Sequence, residues 1–300
     1  MDGLLGTVTN LAVLAFVVTC MAAAGLGLGL RDVVAPLRRA RLITAAVVAN
    51  FVVAPAVAYG LTAAIPLDRP YATGLLLLGG AAGAPFLPKL AAAANGDVAL
   101  SVGLVLLLTV GSVVFMPVVL PLLIPGLSTG PWPILRPLLL TTLLPLAVGM
   151  AARARSGRVA ARLLPAVGVA SNISLALALA LLVGLNSGAM LGTIGSGAVA
   201  VAVVFVALTL AAGYALAGPA AGTRSVVGLG TGQRNVAAAM VVATQNFADP
   251  GVVVMLLVST LAGLIVLLAA ARWFARLARD PGPDPGATVG AGPVTQEMTR

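Results

Sequence analysis

Long apolar runs without charged residues alternate with short polar segments along most of the chain. Each run has about 20 residues or more, the length that crosses ~30 Å of hydrocarbon as an α-helix. Apolar and polar side chains do not alternate within the runs, as they would in membrane-spanning strands. The pattern therefore predicts an all-α, multi-pass membrane protein. We place nine transmembrane helices at about residues 7–29, 41–64, 71–94, 98–124, 133–152, 161–186, 190–217, 223–246 and 250–271.

Two of the nine segments carry helix-interrupting residues near their middle. These residues are Gly79, Gly80, Gly83, Pro85 and Pro88 in segment 71–94, and Gly228, Gly230 and Gly232 in segment 223–246. Proline removes a backbone donor and clashes with the preceding turn, and glycine weakens a helix. Broken backbone survives in hydrocarbon only where it is buried in protein or lines a cavity. We therefore predict that both helices break, one in each half of the chain, as at the midplane site of an inverted-repeat transporter.

The distribution of basic residues predicts the orientation of the chain. Hydrophobic residues make up 60% of the sequence, yet the formal net charge is +9. Arginines concentrate in residues 31–41, 153–162 and 272–279, which fall on one side of nine spans, while the opposite side holds Arg69 and Arg136. The positive-inside rule then places the N-terminus outside and the C-terminus in the cytoplasm, across the cell (inner) membrane. Because this topology explains the charge, no nucleic-acid partner is needed.

The end of the chain differs from the rest. Residues 280–300 are rich in proline and glycine and lack apolar periodicity. Such a composition is typical of disordered segments. We predict one membrane transporter domain over residues 1–279, followed by a disordered cytoplasmic tail.

Two basic residues lie inside the spans and away from their ends, one beside each predicted break. They are Lys89 and Arg234. A charge near the bilayer centre costs ~2.5 to 3.5 kcal/mol even on the lenient insertion scale. Snorkelling to the interface is the alternative, and it stays open above all for Lys89, which lies near the cytoplasmic end of its span. The pairing of a charge with each break favours a site that binds anions.

Several stretches resemble the bile acid:sodium symporter family. They are "GLGLGLRDVVAPLRRARL", the glycine-broken helix of the third span, "NGDVALSVGLVLLLTVGSVVFMPVVLPLL" directly after it, and "GQRNVAAAMVVA" in the eighth span. The resemblance extends over about residues 17–270. It implies two inverted repeats, a panel domain and a core domain, and two broken helices that cross beside sodium and organic-anion sites. The chain looks as if it lacks the first of the family's ten helices, in agreement with nine spans.

Three positions of the family's sites carry over with suitable side chains. Ser101 falls on a serine that serves the first sodium site, in a run where Asp97 replaces an asparagine. Asn50 falls on a glutamine of the second sodium site and keeps the side-chain amide. Asn235 falls on an asparagine that lies on the substrate side and caps a helix.

Other positions depart from the family. Gly230 stands where sodium-coupled members have a glutamate, and Arg234 stands where they have a glutamine. Apolar residues replace three further ligands: Leu87, Pro88 and Val105. Because a hard cation needs several oxygen ligands, we predict that Lys89 and Arg234 replace mobile sodium ions and that the transporter is sodium-independent.

The predicted substrate site is completed by polar residues near the breaks and on the sixth span. Its members are Lys89, Arg234, Asn235, Gln233, Thr231 and Asn172. The former ion-site positions are Asn50, Ser101 and Gly230. Thr109 and Ser112 of the fourth span are interpreted as ordinary packing residues. No cofactor or metal is expected, and sodium is possible only if its site is rebuilt.

The predicted function is secondary active or facilitative transport of small organic anions by alternating access. A sodium-coupled symporter with a rebuilt ion site and proton coupling through Lys89 remain open. An arsenite-type efflux permease is a further alternative, although it favours a thiol in the fourth span and the only cysteine, Cys20, lies in the first. An enzyme is not expected, because the chain has no histidine and no acid deep in a span. The expected partners are the anion and the lipid bilayer; substrate, direction and oligomeric state stay open.

Overall fold

The computed structural model describes residues 2–29, 39–124, 130–185, 188, 192–193 and 195–279. Within these ranges we number the helices in chain order: α1 (Asp2–Gly27), α2 (Ala40–Ala64), α3 (Arg69–Gly80), α4 (Leu87–Ala93), α5 (Val98–Leu123), α6 (Pro131–Arg155), α7 (Gly157–Leu185), α8 (Ala198–Leu216), α9 (Ala221–Gly232), α10 (Val236–Asn246) and α11 (Pro250–Arg279). The tail 280–300 and most of the arginine-rich segment 31–41 lie outside the described residues, so their predicted states stay predictions.

Seven of these helices are continuous, long and apolar enough to cross a membrane: α1, α2, α5, α6, α7, α8 and α11. The other four form two pairs of short helices. Helix α3 ends at Gly80 and α4 begins at Leu87, and α9 ends at Gly232 before α10 begins at Val236. Both interruptions lie inside the segments that the sequence predicted to break. The all-helical, multi-pass class is confirmed, and the count of nine spans stays a prediction because neither pair is one continuous helix.

Helices α2 and α6 each contain one π-helical turn, at Ala49–Val53 and at Leu139–Leu143. Each turn ends two residues before a proline, Pro55 and Pro145. A proline inside a helix would clash with the carbonyl four residues earlier, and a widened turn removes that clash. The turn in α2 also contains Asn50, so the wide turn sets the position of a candidate site residue.

Helices α1, α6 and α7 pack on one another. Gly25 of α1 and Gly149 of α6 let the two backbones approach, because a Cβ atom on either residue would meet the main chain of the other helix. Arg153 Nη1 of α6 also donates to the carbonyl of Leu26 at 3.2 Å. Small residues at such crossings are the usual means of close helix packing in membranes. We refer to these three helices as the first helix group.

The remaining helices form a second group, in which α8 packs on α9 and α11, α3 packs on α2 and α11, and α4 packs on α5. Contacts between the two groups are fewer. They join α10 to α1, and join the first half of α6 to α5 and α10. The start of α6 and the end of α10 lie on the side predicted to be outside. The groups are therefore held together mainly towards that side.

Candidate functional site

The segment between α3 and α4 leaves the helix with backbone groups that need partners. Gly83 has φ +85°, a left-handed conformation that favours glycine. Ser112 of α5 accepts from Ala82 N at 2.7 Å and donates to the Ala82 carbonyl at 3.0 Å. Thr109 Oγ1, one turn away on α5, donates to the Gly83 carbonyl at 2.7 Å. Side chains of the next helix therefore replace the missing helical hydrogen bonds, as buried irregular backbone requires.

The interpretation of Thr109 and Ser112 as packing residues was therefore wrong. Both side chains are 1% exposed and bind the first interruption directly. Their spacing carried a signal, because residues three apart lie on one face of a helix and α5 follows the interruption along the chain. The sequence did not show that this face is turned towards the break.

The guanidinium of Arg234 lies at the end of α3. Its Nε donates to the Leu78 carbonyl at 2.8 Å and its Nη2 to the Gly79 carbonyl at 2.6 Å. Its Nη1 donates to Asn50 Oδ1 at 2.9 Å and to the Thr231 carbonyl at 3.3 Å. Arg234 is only 5% exposed, so its charge is placed against the negative end of a helix dipole and against buried oxygen atoms. The N–H groups of Arg234 and the buried oxygen atoms around them therefore supply each other with hydrogen-bond partners.

Asn235 joins the two interruptions. Its backbone N–H donates to the Ala81 carbonyl at 2.8 Å, and its Nδ2 donates to the Gly83 carbonyl at 3.2 Å. Its Oδ1 accepts from Ala238 N at 3.1 Å and so caps the first turn of α10. The capping position inferred from the family resemblance is thus occupied as expected. Every polar group of this fully buried side chain has a partner.

Asn50 and Thr231 lie behind Arg234. Asn50 Nδ2 donates to the Ala46 carbonyl at 2.9 Å and to Thr231 Oγ1 at 3.2 Å. Thr231 Oγ1 in turn donates to the Val227 carbonyl at 2.8 Å. Thr231 is buried against α8, close to Gly213. It therefore positions Asn50, and through it the guanidinium, and it does not reach the cavity described below.

The former ion-site positions Ser101 and Gly230 lie in different surroundings. Ser101 is fully buried and its Oγ donates to the Val98 carbonyl at 2.6 Å, within the first turn of α5. Gly230 lies under Leu87, such that a Cβ atom on Gly230 would be 2.9 Å from Leu87 Cδ2. Leu87 is itself 1% exposed. At the position where the family resemblance places an ion-site glutamate, the apolar side chain of Leu87 fills the space.

A cavity of about 640 Å³ lies between the two helix groups. One wall is formed by α1 and α7, and the other by both interruptions together with α8 and α11. The volume is within the range of small-molecule sites. Of the predicted site residues, five contribute to its lining: Lys89, Gln233, Arg234, Asn235 and Asn172. Cys20 and Ser171 lie in the wall formed by the first group.

The cavity is positively charged. Lys89 is exposed, and its Nζ lies 5.5 Å from the centroid of the Phe86 ring. No acidic residue lines the cavity in the described part of the chain, and no carboxylate there lies within 4 Å of Lys89. Arg234 adds a second fixed cation, and its four hydrogen bonds are made to oxygen atoms of the protein. A site of this charge attracts anions and repels free cations.

Apolar helices that can cross a membrane, interrupted helices held by side chains, and a cation-lined cavity between the two helix groups together define a multi-pass membrane transporter. A comparison with family models matches residues 14–193 to the sodium bile acid symporter family, and the chain belongs to that family. The matched residues include the first interruption and Lys89 and end before the second interruption. A comparison with curated proteins returned no match. Members of the family are transporters, which is consistent with the prediction that this chain is not an enzyme.

Proposed function

We propose that the protein carries small organic anions across the membrane by alternating access and that it does so without sodium. The observation that carries the proposal is the position of Arg234, whose guanidinium lies among the carbonyls of Leu78, Gly79 and Thr231. The charge that a sodium ion would bring to such oxygens is supplied by a side chain. A tethered charge stays with the protein through every transport cycle, so it cannot couple transport to a gradient.

The oxygen atoms around Arg234 are of the kind that a hard monovalent cation binds. Backbone carbonyls and the amide oxygen of Asn50 lie 2.6 to 3.3 Å from the guanidinium nitrogens. Arginine stays protonated in proteins and presents its N–H groups in a fixed fork. A free sodium ion would have to displace this permanently charged group. Sodium binding at this position is therefore disfavoured by both charge and space.

The packing at Gly230 supports the same conclusion for the other ion position. Leu87 covers Gly230, and Val105, which falls on another ligand position of the family, is apolar and 3% exposed. Neither side chain offers an oxygen ligand. A sodium ion beside Gly230 would lose its hydration without replacement ligands from these side chains.

Lys89 is the residue that we assign to the anion. Four hydrogen bonds already engage Arg234, out of the five N–H donors of a guanidinium. Lys89 by contrast faces the cavity without a carboxylate partner among the residues that the structure describes. Its ammonium group would pair with the carboxylate, and Arg234 would contribute mainly its field. Asn172 on the opposite wall would contact the remainder of the substrate.

The division into two helix groups supports alternating access. The cavity lies between the groups, and their mutual contacts involve α10 and the first half of α6. We assign the first group (α1, α6 and α7) to a panel domain and the second to a core domain. Rocking of one against the other would open the cavity to either side in turn. With the N-terminus outside, the joined ends are extracellular and the arginine-rich ends are cytoplasmic.

The test is uptake of radiolabelled monocarboxylates into proteoliposomes that contain the full-length protein, in sodium or in potassium medium. We expect saturable uptake that is equal in the two media. Lys89→Gln should raise the apparent KM at least about tenfold, the loss expected for one charge-assisted hydrogen bond. Arg158→Gln removes an equal charge from the exposed start of α7, outside the cavity lining, and is the matched control. Uptake that rises steeply with sodium would show that an ion site has been rebuilt elsewhere and would refute sodium independence.

A further inference from the structure

The outer surface of α11 changes its chemistry towards the end of the helix. Ile265 and Leu268 are 71% and 37% exposed, and Arg272 and Arg276 are exposed as well. Because these four residues follow one another at spacings of three or four, they lie on one face of the helix. None of them lines the cavity. This face therefore passes from apolar to basic between Leu268 and Arg272.

The length of α11 places this change at the boundary of the hydrocarbon core. The helix has 30 residues, which span about 45 Å at 1.5 Å per residue, whereas the hydrocarbon core is about 30 Å thick. With Pro250 at the outer boundary, Arg272 lies about 33 Å further along the helix axis. The two arginines are then at the level of the lipid headgroups, on the side predicted to be cytoplasmic.

Aromatic contacts hold the end of α11 against the second helix group. The ring of Phe274 stacks on the ring of Tyr214 in α8, with centroids 5.0 Å apart, and Arg224 Cζ of α9 lies 4.1 Å from the centroid of the Tyr214 ring. The ring of Trp273 lies 5.3 Å from that of Phe274, and Trp273 is 54% exposed. An exposed indole at this level is typical of the membrane interface. The basic face is therefore presented by a helix end that is fixed in place.

The described part of the protein does not neutralise Arg272 and Arg276. No carboxylate there lies within 4 Å of either guanidinium. The planar N–H donors of arginine match the oxygens of a phosphate group. Cβ atoms four residues apart on a helix are about 6 Å apart, so both side chains can reach one headgroup. The cytoplasmic leaflet carries anionic lipids, whose charge and position complement this face of α11.

We propose that Arg272, Trp273 and Arg276 form a binding site for an anionic phospholipid of the cytoplasmic leaflet. The lipid phosphate would accept hydrogen bonds from both guanidinium groups, and an acyl chain would lie along Ile265 and Leu268. The indole of Trp273 would pack beside the headgroup. The site lies outside the cavity and does not depend on the proposed function.

The site differs from other basic surfaces of the protein in its combination of residues. Arg158 and Arg162 at the start of α7 are also exposed and four residues apart. No tryptophan lies beside them in the sequence, whose two tryptophans are Trp132 and Trp273. A general attraction of anionic lipids to basic helix ends would involve both pairs equally. A lipid site on α11 requires only the pair beside Trp273.

Trp273 itself can report on the lipid beside it. In the full-length Trp132→Phe variant, all tryptophan fluorescence comes from Trp273. This protein is reconstituted into phosphatidylcholine vesicles with increasing fractions of brominated phosphatidylglycerol, or of brominated phosphatidylcholine as the reference, because bromine quenches a neighbouring indole. We expect phosphatidylglycerol to be preferred beside Trp273 by about fivefold or more, the effect of at least one basic residue near the surface. Adding Arg272→Gln and Arg276→Gln should reduce the preference to about one.

Arg158→Gln with Arg162→Gln is the matched control in the same background, because it removes two charges with the same spacing from another exposed helix end. It should leave the preference within about twofold. Equal quenching by the two lipids before any arginine is changed would overturn the site. Equal loss of the preference in both double variants would also overturn it, because the general field of the basic side would then attract the lipid. Relief of quenching by inorganic phosphate would show that the arginines bind free phosphate in place of a lipid.

Discussion

Each of the two interrupted helices leaves buried backbone groups that need hydrogen-bond partners, and the two interruptions satisfy them in opposite ways. The end of α3 and the first interruption, residues 81–86, present carbonyl groups to donors from α5, Arg234 and Asn235. The second interruption is shorter, caps its own following helix, and supplies two of those donors. One break therefore accepts hydrogen bonds and the other donates them. The two breaks therefore depend on each other. A substitution that removes a donor from the second break should destabilise the backbone of the first break most.

The largest expected effect comes from removing the donor that joins the two breaks. In Arg234→Gln the carbonyls at the end of α3 lose their charged partner, and we expect the free energy of unfolding to fall by about 2 to 4 kcal/mol. The vacated oxygens would then accept a sodium ion. Sodium should therefore raise the melting temperature of the purified variant and leave that of the wild type unchanged, since a ligand stabilises only a state that binds it.

Potassium and choline salts at equal ionic strength are the controls for that experiment, because they separate ion binding from screening. If sodium stabilises the variant no more than choline does, the oxygens around Arg234 do not form a cation site. The idea that the guanidinium replaces an ion would then have to be abandoned.

The first interruption, which accepts hydrogen bonds, can also be tested through its partner Ser112 on α5. Ser112→Ala leaves the N–H and carbonyl of Ala82 without their partner and should cost about 1 to 3 kcal/mol of stability. Thr209→Val is the matched control, since the Thr209 hydroxyl bonds only to carbonyls of its own helix, Phe205 and Val206. Thermal unfolding in detergent compares the two variants. Equal losses would mean that Ser112 contributes no more to the interruption than a helical hydroxyl does to its helix.

A smaller effect is expected where the two breaks touch through apolar packing. Gly230→Ala places a methyl group against the far end of the flexible Leu87 side chain. Because that end can shift, the cost should lie near ~1 kcal/mol, the lower end of the range for overpacking. Leu87→Ala should relieve the contact, so the cost of Gly230→Ala should shrink markedly in the double variant. Melting temperatures of the four proteins form a double-mutant cycle. Additive effects would show that the methyl group added by Gly230→Ala and the Leu87 side chain do not occupy the same space.

The sequence predicted those features of the site that depend on local chemistry. Clustered glycine and proline residues interrupt a helix wherever they occur, and a charge such as Arg234 deep in an apolar span requires a partner. The cap at Asn235 is also local. By contrast, the roles of Thr109 and Ser112, and the packing of Leu87 on Gly230, depend on which helices face each other. A single sequence carries little information about such facing, because the same hydroxyl can equally bond its own helix.

The smallest effect should lie away from both breaks, where α2 meets the start of α5. Asp97 caps α5 by accepting from Leu100 N at 2.9 Å, and its other oxygen pairs with Arg39 Nη1 at 3.0 Å. The Arg39 side chain is 57% exposed, so water and salt weaken the pair, and exposed pairs contribute about 0 to 1 kcal/mol.

Asp97→Asn keeps an oxygen that can cap the helix, so the loss should stay below about 0.5 kcal/mol and vanish at high salt. Asp97→Ala removes the cap as well and should cost about 1 kcal/mol more at any ionic strength. Unfolding of both variants at low and high salt separates the two contributions. A large loss in Asp97→Asn that disappears at high salt would show that the ion pair, rather than the cap, holds this end of the helix.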